Sequence, residues 1–82
     1  MNIKNNIVNY LYDRDYVICT YENNVYIFNY NYLESFNDKK IVLKVSNKKV
    51  SINGINLIIK KITKEEMLIQ GSIKSIEMSK YE

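Results

Sequence analysis

Three observations predict an all-β domain. Apolar residues recur with period two along most of the chain, β-branched and aromatic residues dominate those positions, and polar turn-forming clusters separate them. The predicted architecture is a small, mostly antiparallel sandwich or partly open barrel of six to seven short strands, with a short helix before it. Eighty-two residues allow one domain, 1–82, and a chain this short buries a smaller share of its surface than larger domains do. Its core is therefore marginal, so a partner or a second copy would help to hold it.

In chain order, residues 3–12 place Ile3, Ile7, Val8 and Leu11 on one helical face, with Asn2 as a cap. Tyr16 to Tyr21 reads as a first strand and Glu22-Asn23-Asn24 as its turn. Val25 to about Phe36 reads as one long second strand. After Asn37-Asp38, Ile41, Leu43 and Val45 alternate, and Ser46-Asn47-Lys48 turns the chain towards Val50 and Ile52 as a second hairpin. Val50 and Ile52 are even-numbered, whereas Ile55, Leu57 and Ile59 are odd. A one-residue slip sends every side chain to the other face, so Gly54 between the two sets reads as a bulge or tight turn. Ile58 fills the gap between Leu57 and Ile59, which predicts a central strand covered on both faces.

The segment ITKEEMLIQGSIKSIEMS, 62–79, has two readings. Thr63 and Glu66 spell the capping box of a helix start. A helix, however, would carry Gly71 in its interior at a cost of about 1 kcal/mol, and Met67, Ile69, Gly71 and Ile73 keep period two before the phase changes ahead of Ile76 and Met78. Two strands around Gly71, preceded by a polar turn at 63–66, fit better. Ile52-Asn53-Gly54 is echoed by Ile69-Gln70-Gly71 seventeen residues later, as in two related hairpins around one core.

Composition limits the chemistry. Isoleucine, asparagine, lysine and tyrosine supply 44 of the 82 residues, a bias of A/T-rich codons rather than of function. There is no histidine for acid–base or metal work, Cys19 has no partner and reads as a small buried hydrophobe, and no phosphate-cradling glycine loop is present. The carboxylate pairs Asp13/Asp15 and Glu65/Glu66 fall at turns, where solvated acids are ordinary. No catalytic, cofactor-binding or metal-binding residues are expected, and no cofactor. No apolar run approaches the roughly 20 residues that span a bilayer, and no signal-peptide pattern opens the sequence, so a cytosolic chain is expected.

Charge is uneven, −3 over residues 1–38 and +6 over 39–82, for a net +3. A basic half could attract nucleic acid or anionic lipid, although most charge runs are solvated faces. Tyr26, Phe28, Tyr30 and Tyr32 would share one face of the long second strand. Such a stripe is either core or the seam with another protein, or, beside lysines, a platform on which single-stranded bases stack. These four are the candidate partner-contact residues; Gly54 and Gly71 are expected to be structural.

The ordered series I-x-G-x-x-L-x-I, at Ile52, Gly54, Leu57 and Ile59, and I-x-G-x-I-x-S-I-E, at Ile69, Gly71, Ile73, Ser75, Ile76 and Glu77, resembles the YabP/YqfC family of small bacterial sporulation proteins. Residues 25–45 continue the resemblance upstream through Phe36, Asp38, Ile41 and Leu43, so that it covers about 15–78. The short spacing across KEEMLIQG is more similar to the YqfC branch. Glycines expected near Asn24, Asn31 and Asn47 are asparagines here, the usual substitute where φ is positive. The resemblance implies a non-enzymatic all-β protein on the mother-cell side of the forespore envelope. It would act in coat or cortex assembly with membrane-embedded sporulation proteins, and a homo-oligomer is compatible with it.

Overall fold

The computed structural model describes residues 16–80, all of them strand, turn or connector. The helix expected at 3–12 lies outside these residues. Six strands, β1 (Val17–Tyr21), β2 (Asn24–Phe28), β3 (Tyr32–Phe36), β4 (Lys40–Val45), β5 (Lys48–Ile62) and β6 (Glu66–Lys80), form one open antiparallel sheet in the order β1-β2-β6-β5-β4-β3. The all-β expectation holds.

The first and second hairpins form where the turn residues place them. In each the first central residue takes the positive φ, Glu22 at 54° and Ser46 at 53°. The asparagines expected to do so bond through their side chains instead: Asn24 Nδ2 donates to the Tyr21 carbonyl, and Asn31 Oδ1 accepts from the Ser46 N–H at 2.7 Å. A left-handed backbone costs an L-residue other than asparagine or glycine roughly 1–2 kcal/mol. Ser46→Gly keeps the backbone bond to Asn31 and should raise stability by about 0.5–1 kcal/mol, after allowing for the extra freedom of glycine in the unfolded chain. A urea midpoint unchanged or lowered in this variant would contradict the assignment.

The long second strand expected from Val25 to Phe36 is two strands. Asn29, at φ 64°, turns the chain out of β2, its N–H donates to the Glu65 carbonyl, and two residues later the Asn31 N–H donates to the Lys44 carbonyl. β2 and β3 consequently stand at the second and last positions of the sheet. Conversely, the two strands expected around Gly71 are the single strand β6. Thr63 closes the β5–β6 loop: its hydroxyl accepts from the Glu66 N–H at 3.0 Å and its N–H donates to the Glu66 carbonyl at 2.8 Å. The hydroxyl-to-amide half of the capping box is thus made, but in a hairpin.

β5 and β6 carry the architecture. Each has fifteen residues, which would reach about 50 Å if straight, yet the molecule's longest dimension is 38 Å. They bend where their ladder slips. Lys74 is left over between the pairs Asn53/Ser75 and Gly54/Ile73, Asn56-Leu57 face only Gly71, and Lys60 is left over between Ile59/Ile69 and Lys61/Leu68. The phase change read at Gly54 is therefore absorbed by Asn56, at φ 56°, and Leu57. Gly54 serves close approach instead, since a Cβ there would lie inside contact distance of the Ser72 carbonyl oxygen and 2.9 Å from Leu57 Cδ2. Lys74 likewise accounts for the phase change before Ile76.

Bending folds the sheet on itself. β2 pairs only with the first part of β6, and β4 only with the first part of β5. Val25, Ile27, Met67 and Ile69 from one half and Ile41, Leu43, Val45, Val50 and Ile52 from the other form one cluster with no exposed area, closed by Leu57 at the bend. The strand covered on both faces is β4, where Val42 is buried as well. Ile58 on β5 is 53% exposed, because β4 has already turned away. Cys19, on edge strand β1, is exposed rather than buried.

Candidate interaction surface

The tyrosines do not form one stripe. Tyr26 and Phe28 sit on the face of β2 that points away from the core, Tyr30 in the β2–β3 connector and Tyr32 on edge strand β3. Tyr26 donates its O–H to Glu66 Oε2 at 2.6 Å, and Glu66 also receives Lys61 Nζ at 2.9 Å. Half-buried Tyr30 packs against the core and donates to the Thr63 carbonyl at 2.6 Å, tying the connector to the β5–β6 loop. Lys44 Nζ lies 6.0 Å from the centre of the Tyr32 ring. Tyr26 and Tyr30 thus fasten separate parts of the fold.

Glu66 has a measurable signature. The Tyr26 hydroxyl first, and then Lys61, hold its carboxyl below the ordinary value of 4.5. A group held lower in the folded than in the unfolded state contributes stability that is present above its unfolded pKa and lost as pH falls through its folded pKa. Wild type should therefore lose stability on going from neutral pH to about pH 3 more steeply than Glu66→Gln does. Parallel urea titrations of the two proteins check this, and equal slopes would exclude Glu66 as a contributor. Burial raises the Tyr30 hydroxyl above its ordinary 10.0, so its contribution is full below pH 10 and is lost as pH rises beyond it.

Among the described residues, two grooves of the folded sheet differ in chemistry. In the first, the second part of β5 faces β3 across a groove of about 420 Å³ lined by Leu33, Phe36, Leu57, Ile58, Ile59, Ile62 and the 37–38 turn. Phe36 (63%), Ile58 (53%) and Ile62 (51%) are the large apolar side chains it leaves in water. Contacts between β4's line and β5 end where the Lys39 and Asp38 carbonyls accept from the Gly54 and Leu57 N–H groups, at 3.0 and 2.8 Å. Beyond that, residues 58–62 are paired with β6 on one side and with no described strand on the other. An apolar groove beside an unpaired strand edge is equipped to receive a polypeptide.

The second seam lies where the start of β1 meets the end of β6. Tyr16, Asn47, Lys48, Met78, Ser79 and Lys80 line it, and Lys48 Nζ lies 3.2 Å from the Tyr16 hydroxyl. Lys48 and Lys80 stand directly opposite each other in the ladder. It is a basic site, where the first is apolar.

Comparison with known proteins adds one finding to this geometry. The model of the YabP family matches residues 13–82. This chain belongs to the YabP family. Neither a curated protein nor a solved structure matches it. The YabP-family resemblance rests on residues that build the bend. Ile52 and Ile69 are core, Gly54 and Gly71 let β5 and β6 approach, Leu57 covers both glycines, and Ile73 and Ile76 flank the Lys74 slip. Sequence reasoning missed the apolar seam, although its signal was present: the uninterrupted Ile-Ile at 58–59 and Ile62 supply more apolar side chains than one covered face of an edge can hide.

Proposed function

We propose that this YabP-family chain is a non-catalytic assembly or adaptor factor in formation of the bacterial spore envelope, coat or cortex, acting by protein contact close to a membrane. The observation that carries this reading is the apolar groove along an unpaired strand edge, a feature suited to holding a protein. Family membership supports the sporulation setting, and the compact loop between β5 and β6 favours the YqfC branch. The partner in this reading is a second sporulation protein, embedded in the membrane, with the chain on the mother-cell side of the forespore. A fluorescent fusion under its own promoter should appear only during sporulation, as a shell around the forespore. Diffuse or nucleoid signal in growing cells would overturn the reading.

A second reading, a single-stranded nucleic-acid or anionic-lipid binder, is favoured by one observation. Lys44 over Tyr32 and Lys48 at 5.6 Å over Tyr16 place two aromatic–lysine pairs about the β4–β5 hairpin. It expects oligonucleotide binding that weakens steeply with salt, through release of counterions. Absence of binding at low salt would remove it for nucleic acid, and liposome sedimentation with and without acidic headgroups decides for lipid.

A further inference from the structure

The apolar seam defines what would fit it. We propose that the edge of β5 from Ile58 to Ile62 accepts an extended segment of another protein as an added strand, apolar at alternate positions and carrying a carboxylate that meets Lys60. This rests on the assembly reading and names the mode of contact within it.

Backbone geometry comes first. An incoming strand would continue the line of β4 past the Lys39 and Asp38 carbonyls, the last acceptors from that side. On either side of the Lys60 slip, N–H and C=O groups of 58–62 point away from β6, and a strand that follows the same bend satisfies them while β3 forms the far wall of the groove. Five residues span about 17 Å, an ordinary strand length. Side chains on the inward face of the guest would meet Leu33, Ile59 and Ile62 and draw Phe36 out of water.

Charge then selects the occupant. The edge reads Ile58-Ile59-Lys60-Lys61-Ile62. Lys61 is neutralised by Glu66, whereas Lys60 is exposed and has no ion pair among the described residues. A second copy docked about a two-fold axis through the Lys60 bulge would bring Lys60 against Lys60, with a net charge of +3 on each chain. Like charges directly opposite destabilise a strand pair, and an edge lysine is a recurrent device against self-pairing. A guest with Asp or Glu at that place keeps the apolar contacts and gains an ion pair.

The test uses the full chain and three synthetic peptides of alternating valine and threonine, with glutamate, lysine or proline at the centre. The glutamate peptide should bind at least about tenfold more tightly than the lysine peptide by fluorescence anisotropy. Lys60→Glu should invert that preference, and the proline peptide should not bind, since it removes a ladder N–H. Hydrogen exchange should slow at residues 58–62 when the glutamate peptide is added. Equal binding of the proline peptide, no binding of any peptide, or protection elsewhere would overturn the proposal. So would a photocrosslinker at position 58 that reaches residues 1–15 of its own chain, or a second copy. If the peptides fail while the fusion still encircles the forespore, the strand mode falls and the assembly reading stands.

Discussion

Gly54→Val will leave the chain largely unfolded at physiological temperature. The position needs no unusual φ; it needs the absence of a side chain. A Cβ would press on the Ser72 carbonyl and lie 3.1 Å from the Ser72 carbonyl carbon, both rigid backbone of β6, with Leu57 Cδ2 at 2.9 Å on the other side. Relief requires β5 and β6 to separate at the bend that folds the two halves of the sheet together. The Gly54 N–H bond to Lys39 and the Leu57 N–H bond to Asp38 would be lost with them. Overpacking in a tight core costs about 1–3 kcal/mol and more where backbone must move, while a core of this size supplies no more than roughly 3–5 kcal/mol of net stability. Gly71→Ala should be less severe. Its φ of 151° is unfavourable to a side chain, but the nearest atom to its Cβ, the Asn56 carbonyl oxygen at 2.8 Å, belongs to the bulge rather than to a regular ladder. Circular dichroism melting of the two variants beside wild type checks the order, and an unchanged melting temperature in Gly54→Val would contradict the close-approach role.

The legible parts of this fold are those fixed by neighbours in sequence. Alternation around Ser46-Asn47 places Ile41, Leu43, Val45, Val50 and Ile52 on one face, and the structure buries all five. Period two reports which way a side chain points, not which strand stands beside it, and each misreading follows from that gap. Across Asn29 the alternation of Tyr26, Phe28, Tyr30 and Tyr32 continues unbroken, while the Asn29 and Asn31 N–H groups bond to Glu65 and Lys44 in opposite halves of the sheet. No glycine or proline marks that break, and its cause is tertiary. At Gly71 the reverse occurs: a strand-breaking residue sits inside a continuous strand because the Asn56-Leu57 bulge opposite takes up the irregularity. The aromatic run Tyr26, Phe28, Tyr30 and Tyr32 was legible, but its division between β2, the connector and exposed β3 was not. The apolar seam left its signal in Ile58, Ile59 and Ile62, but the sequence pointed that signal to the wrong place. Ile58 and Ile59 look like core until one knows that β4 pairs with β5 only as far as Asn53.

Leu57→Ala should cost about 2–5 kcal/mol, the range for emptying a buried leucine site, and a large part of the chain's stability. Leu57 is 4% exposed, packs over both glycines and joins the two halves of the core. The cavity left behind cannot collapse readily, since its walls are the β5 and β6 backbones held by their ladder. The adjacent substitution separates folding from function. Ile58 points from the same strand into water, so Ile58→Ser should change stability by no more than about 0.5 kcal/mol. Chemical denaturation of both variants gives the contrast directly, and a loss in Ile58→Ser approaching that of Leu57→Ala would mean that this side chain belongs to the core. A stable, well-folded chain that gains nothing from an exposed isoleucine, next to one that fails without its buried neighbour, locates the cost of Ile58 outside the isolated molecule. An exposed branched apolar side chain on an unpaired edge is an aggregation liability, and Ile58, Ile62 and Phe36 together present it along one seam. In the proposed mode of contact, an added strand that covers them offsets that liability.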